Sequence, residues 1–174
     1  QDIEFTIQEN KLWMLQTRRG KRTGIAAIKI ATDMVKEKLI TKEVAVGRVR
    51  PVQIYESLLK NIVAEDLNNN TPVSSGLPAG PGASCGSAVF TAEKAEALGK
   101  KGKKVILIRE ETSPEDIHGM HYSEGILTSR GGLTSHAALV ARGWGKSCVV
   151  GCQDLTIDKS HKFAKIADKK IKEG

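Results

Sequence analysis

Apolar and polar positions alternate with a period of two at the start of the chain. Ile3, Phe5 and Ile7 fall on one face and Glu4 and Thr6 on the other, and a second such run, LWMLQTR, follows QENK. The pattern predicts a hairpin with one polar face. After RRGKRTG the period lengthens. Ile28, Ala31, Val35 and Leu39 recur at helical spacing with no proline among them, which predicts a helix of three or four turns. Thr41 stands where it can cap a shorter helix, and Pro51 opens another in which Ile54, Leu58 and Ile62 line one side. The stretch EDLNNNTPVSSGLPAGPGASCG is the sharpest compositional break, dominated by residues that gain little from burial. It sets an expected boundary near Asn70, with a hairpin over 1–22, a helical linker over 23–71 and a domain over 72–174.

In that last part, strands are expected over GSAVFTA, KKVILIRE, GILTS and SCVVG, the second a continuous apolar run suited to a buried position. Helices are expected over residues 92–98, from TSPEDI, and over SHAALVARG. In TSPEDI, Ser113 is the cap, Pro114 the first helical residue and Asp116 the partner that completes a capping box. LTID and KFAKI read as a further hairpin. No element is expected over KKIKEG, and both ends read as cut from a longer polypeptide. Strands alternating with helices give an α/β fold class.

Composition narrows the function. No segment approaches the ~20 uncharged apolar residues of a membrane span, and the first residues lack the basic and apolar regions of a signal peptide. Three cysteines, Cys85, Cys148 and Cys152, form no disulfide framework and suit a reducing intracellular compartment. Cys148 and Cys152 read as small apolar residues closing a strand rather than half of a metal site. The net charge of +7 is spread along the chain and aromatic residues are few, so a nucleic-acid partner is not expected. A basic surface or a preference for small anions accounts for the charge more simply.

One stretch stands out chemically. In GGLTSHAALVAR, Gly131 and Gly132 allow a sharp turn and close approach to a ligand, and Thr134 or Ser135 can cap the helix that follows. His136 then falls in the first turn, where free amides and the positive end of the dipole favour an anion over a protonated imidazole. A neutral imidazole there is a competent nucleophile toward phosphorus, and the amides can stabilise the phosphoryl group it acquires. Ala137 and Ala138 are expected to leave space beside the ring, with Leu139, Val140 and Trp144 anchoring the helix. His118, His121 and His161 lack such a setting and read as surface residues.

These residues resemble the phosphorylation-site signature of the phosphoenolpyruvate-utilising enzymes, whose swivelling domain carries a phosphoryl group on a histidine between distant sites. KKVILIREETSPEDIHGMHYSEGILTSRGG and ARGWGKSCVVGC are most similar to the pyruvate phosphate dikinase branch; the water-dikinase branch and a non-catalytic phosphocarrier are the alternatives. The resemblance implies a swivelling β/β/α phosphohistidine domain, preceded by a helical linker and an N-terminal β-hairpin that closes a nucleotide-binding domain. It implies His136 as the phosphoryl carrier. Thr134 would orient the imidazole and serve as a regulatory phosphorylation site, while Arg130 and the Gly131 and Gly132 amides would neutralise phosphoryl oxygens. In the hairpin it implies Glu4 toward magnesium and nucleotide, with Gln16 and Arg18 also at the ATP site. It further implies Mg2+ and a monovalent cation (ammonium or potassium), and ATP, phosphate and pyruvate or phosphoenolpyruvate as substrates bound with flanking domains. The full-length protein would be a homodimer in the cytoplasm or another reducing compartment such as a plastid or glycosome. AGPG at residues 79–82 departs from the ASPG common in the family, removing a hydroxyl from that loop.

Overall fold

The computed structural model describes residues 2–18, 20, 22–158, 160 and 162–174, so His161 lies outside the described residues. The chain forms two compact units, Gln1–Leu58 and Leu59–Gly174.

In the first unit, β1 (Asp2–Gln8) and β2 (Lys11–Arg18) pair antiparallel, turning through Glu9 and Asn10 at positive φ. Register puts Phe5 opposite Met14 and Ile7 opposite Leu12, so one face is apolar, and it is exposed. α1 (Gly24–Lys36) starts at Thr23, whose side chain accepts from the Ala26 amide, and is followed by Lys38 in the left-handed region. Of the expected stripe Ala31 is buried and Ile28 and Val35 are half-buried; Gly24 and Ala27 are buried as well, and Leu39 lies past the helix end, exposed. Gly24 lets it press on α3 (Pro51–Leu58): a Cβ there would come within 2.1 Å of the Gln53 carbonyl oxygen. α2 (Lys42–Arg48) begins at the Thr41 cap. The expected apolar stripe of α3 is not inward, because Ile54 and Leu58 are exposed and Gln53 is the buried residue. Gln53 turns its carboxamide back to accept from the Arg50 amide, so it is satisfied locally.

The second unit holds α4 (Ala64–Asn69), inside what reads by composition as loop; it buries no residue. Next come β3 (Leu77–Gly80), β4 (Ser87–Val89), α5 (Ala92–Gly99) and β5 (Val105–Arg109). A 3-10 turn (Pro114–Asp116) leads into α6 (Ile117–Tyr122), then β6 (Gly125–Thr128), α7 (His136–Trp144) and β7 (Ser147–Val150). β8 (Leu155–Ile157), β9 (Phe163–Ile166) and β10 (Lys169–Lys172) complete it. β3 is unforeseen because Pro78 argues against a strand; it survives at the sheet edge, where a missing donor costs least. β10 corrects the reading of KKIKEG as structureless: charged on its exposed face, it pairs with β9 through Ile171 opposite Ala164.

Strands β4, β5, β6 and β7 are parallel neighbours in chain order, with β3 antiparallel on the β7 edge. Each step from strand to next parallel neighbour crosses over through one helix, and crossovers of one hand put α5, α6 and α7 on the same face. There Val89, Leu107, Ile126 and Val150 pack on Ala95, Met120 and the alanines of α7. On the opposite face Phe90 and Ile108 meet Leu155, Ile157, Ala164 and Ile166 of the antiparallel sheet β10-β9-β8. The unit is therefore layered β/β/α. Among the described residues no helix is long and apolar enough to cross a membrane.

Candidate functional site

The loops after β5 and β6 emerge beyond the carboxyl ends of adjacent parallel strands, the usual place for a site in an open α/β sheet. They are tied together. Arg130 donates its amide to the Glu110 carbonyl at 2.8 Å, and the Thr128 hydroxyl, fully buried, donates to the Arg130 carbonyl at 2.7 Å. The Arg130 guanidinium stands exposed, 3.9 Å from the Glu110 carboxylate.

Gly131 has φ +100°, a conformation side chains rarely adopt, and a Cβ there would lie 2.9 Å from the Ser135 Cβ. Gly132 meets nothing within 4 Å, so only the first glycine is demanded by the backbone. Ser135 is the helix cap, its hydroxyl accepting from the Ala138 amide at 3.4 Å. The loop is held from the far end of α7 as well, where Arg142 donates to the Leu133 carbonyl at 2.9 Å.

His136 is the first residue of α7 and half-buried. Its Nδ1 lies 3.0 Å from the hydroxyl of Thr112. Thr134, expected to orient the imidazole, is exposed, whereas Thr112 is buried and its hydroxyl meets the ring. Thr112 was legible only as the residue before the Ser113 cap, and nothing in its spacing from His136 marks it. The alanines differ from expectation too. Ala137, Ala138 and Ala141 are buried and let α7 sit close on the sheet; of the residues expected to anchor the helix, Val140 packs against the core, Leu139 is exposed, and the largely exposed Trp144 meets the His121 ring edge-on at 5.4 Å. Beside Arg130 and Gly131 an open hollow of about 710 Å³ is lined also by Ser75, Gly76, Ser129 and Asp154; His136 is not among its walls.

The capping box read from TSPEDI is present. The Asp116 carboxylate accepts from the Ser113 amide at 2.9 Å and lies 3.3 Å from the Arg109 guanidinium. His118 and His121 are exposed. Burial pushes the Cys148 thiol up to about 11, with Arg142 pulling the other way.

In the first unit, register brings Glu4 opposite Gln16 and Asp2 opposite Arg18, so the three hairpin residues singled out share one strand face. The Arg18 guanidinium binds the Glu4 carboxylate and reaches Asp2 at 3.5 Å. Both carboxylates are thus engaged, and among the described residues no group of three or more His, Cys, Asp or Glu is placed to hold a metal ion. This donor set does not by itself form a magnesium site.

Residues 101–170, which contain β5 through β9 with His136 among them, match the PEP-utilising enzyme mobile domain. Over its whole length the chain is similar to the pyruvate, phosphate dikinases. It is 54% identical over 173 residues to pyruvate, phosphate dikinase 1, chloroplastic, of Arabidopsis thaliana, covering 99% of the chain and 18% of that relative. With pyruvate, phosphate dikinase 2 of Zea mays the identity is 52% over 174 residues, covering 100% and 20%. With pyruvate, phosphate dikinase 2 of Oryza sativa it is 53% over 173 residues, covering 99% and 20%. The chain spans about a fifth of the length of the curated relatives it matches.

Proposed function

We propose that this chain is the phosphoryl-carrying portion of a pyruvate, phosphate dikinase, interconverting ATP, phosphate and pyruvate with AMP, pyrophosphate and phosphoenolpyruvate. The observation that carries the reading is His136 at the amide-rich start of α7, with Nδ1 occupied by Thr112 so that Nε2 is the nitrogen left to react. Nε2 attacks the β-phosphorus of ATP, the bond to the α-phosphate oxygen breaks, and AMP leaves. The outer phosphoryl group passes to phosphate, giving pyrophosphate. The remaining one passes to the enolate oxygen of pyruvate, giving phosphoenolpyruvate and the free imidazole. Arg130 and the Gly131 and Gly132 amides neutralise phosphoryl oxygens. Thr134, exposed two residues before the carrier, is the regulatory position, since a dianion there repels incoming phosphate.

Residues 1–22 are read as the closing hairpin of a nucleotide-binding domain, 23–71 as a helical linker and 72–174 as the swivelling domain. Glu4, Gln16 and Arg18 face the nucleotide, and magnesium draws most of its ligands from outside this chain, Glu4 contributing one carboxylate. A monovalent cation serves elsewhere in the full-length enzyme, which is read as a homodimer. A plastid location fits the chloroplastic names of several relatives. One histidine must visit two sites, so the domain moves as a body on the stretch from Asn68 to Ser75, whose composition of Asn, Thr, Pro and Ser suits a hinge and which begins at the last turn of α4. Ser74 donates to the Asp154 carboxylate at 2.8 Å, which ties the far end of that stretch to the moving unit.

The test is labelling of the complete enzyme with ATP carrying isotope at the β-phosphate. The expected product is an acid-labile, base-stable phosphate on the protein, absent from His136→Asn. Label that persists in His136→Asn, or never attaches to the parent, removes the reading.

A further inference from the structure

Thr112 sits in a loop, where a hydroxyl is ordinarily free to turn, so something must fix it against the imidazole. Its following peptide is clamped: Asp116 Oδ2 accepts from the Ser113 amide at 2.9 Å, and the Asp116 amide donates to the Ser113 carbonyl at 3.0 Å. The clamp is itself anchored to the sheet. Asp116 Oδ1 lies 3.3 Å from an Arg109 terminal nitrogen, and the other terminal nitrogen donates to the Phe90 carbonyl at 3.1 Å.

A capping-box acid needs no such partner. In solvent it caps equally well, yet Asp116 is only 4% exposed. Burying a carboxylate with a guanidinium contributes little net stability, and here Arg109 Nε is buried with no hydrogen-bond partner among the described residues. The arrangement is a poor stabiliser and a good locator. We propose that Arg109 and Asp116 are positioning residues for His136. Through Thr112, whose hydroxyl takes the acceptor role toward Nδ1–H in this proposal, they hold the imidazole in the tautomer with the proton on Nδ1, leaving the Nε2 lone pair to take phosphorus. The inference rests on the carrier reading above, but its readout needs no nucleotide.

The experiment is long-range proton–nitrogen correlation of the imidazoles in the uniformly 15N-labelled 174-residue chain at pH 8.5, with His136→Asn assigning the signal. The parent is expected to show one tautomer at His136, protonated at Nδ1. Asp116→Ala, and Thr112→Val which removes the hydroxyl, should each lower the ratio of that tautomer to the other at least fivefold, while Thr112→Ser retains it. Ile126→Val, a core methyl deletion away from the clamp, should leave it unchanged. If Asp116→Ala does not fold, Arg109→Lys gives the same readout, keeping a cation opposite Asp116 without the forked contact to Phe90. A folded Asp116→Ala or Arg109→Lys chain with the parent ratio overturns the proposal, as does an equal change in Ile126→Val. Failure of nucleotide labelling with the tautomer ratios as expected would count against the carrier reading alone.

Discussion

Replacing Gly131 and Gly132, the two glycines that precede His136, each by alanine separates a demanded glycine from a tolerated one. At Gly131 the backbone has φ +100°, and the new Cβ would press to 2.9 Å on Ser135 Cβ and 3.0 Å on its hydroxyl, the group that caps α7. Strained backbone of this kind costs about 1–3 kcal/mol. Displacing the cap adds about 1 kcal/mol. Together they give about 2–4 kcal/mol, or a fall of about 1–2 M in the urea midpoint for an m-value near 2 kcal/mol/M. At Gly132 the Cβ enters open space and φ lies outside the left-handed region, so the change should stay within about 0.5 kcal/mol. Urea titration followed by Trp144 fluorescence, with Trp13→Phe as the background, reads the unit that contains α7. Equal shifts for the two variants, or a larger one for Gly132→Ala, would refute the argument from backbone conformation.

Ser135→Ala, which removes only the cap, should cost about 1 kcal/mol in the same titration. Lys146 donates to the His121 and Ser123 carbonyls at the end of α6; Lys146→Met should destabilise by about 1–3 kcal/mol and speed amide exchange at residues 121–124. The Cys148 thiol is held up to about 11 from an ordinary 9.0, so the folded state keeps a proton that the unfolded state has lost between those values. Stability from this group is therefore complete below pH 9 and falls as pH rises toward 11, by roughly 1–2 kcal/mol, and Cys148→Val should lack that component in urea midpoints taken at pH 8.5 and 10.5.

The order of strands and helices from GSAVFTA onward was legible because each buried strand there is a short apolar run bounded by charge or glycine, and each helix carries a local start signal. Thr41, Thr91 and Ser135 each accept from an amide three residues on. What failed were inferences needing a distant partner. In α1 the expected stripe held in part, with Ala31 buried and Ile28 and Val35 half-buried, but the closest approach falls to Gly24 and Ala27, because contact with α3 selects small side chains and hydropathy does not register that. β3 and β10 are strands by pairing alone. The site divides the same way: His136 and its cap lie within one helical turn, whereas Thr112 reaches the ring from 24 residues away and belongs to a different loop.

The position of β3 also has a consequence for biosynthesis. Its sheet neighbour is β7, with Leu77 opposite Val150, so the first strand of the sheet bonds the last of its parallel series. On a ribosome, β4, β5 and β6 can associate in turn as they emerge, but β3 must wait until residue 150 has cleared the exit tunnel. Until then its proline-containing edge is a nascent segment without a mate, and completion of the second unit is gated by translation of α7 and the strand that follows.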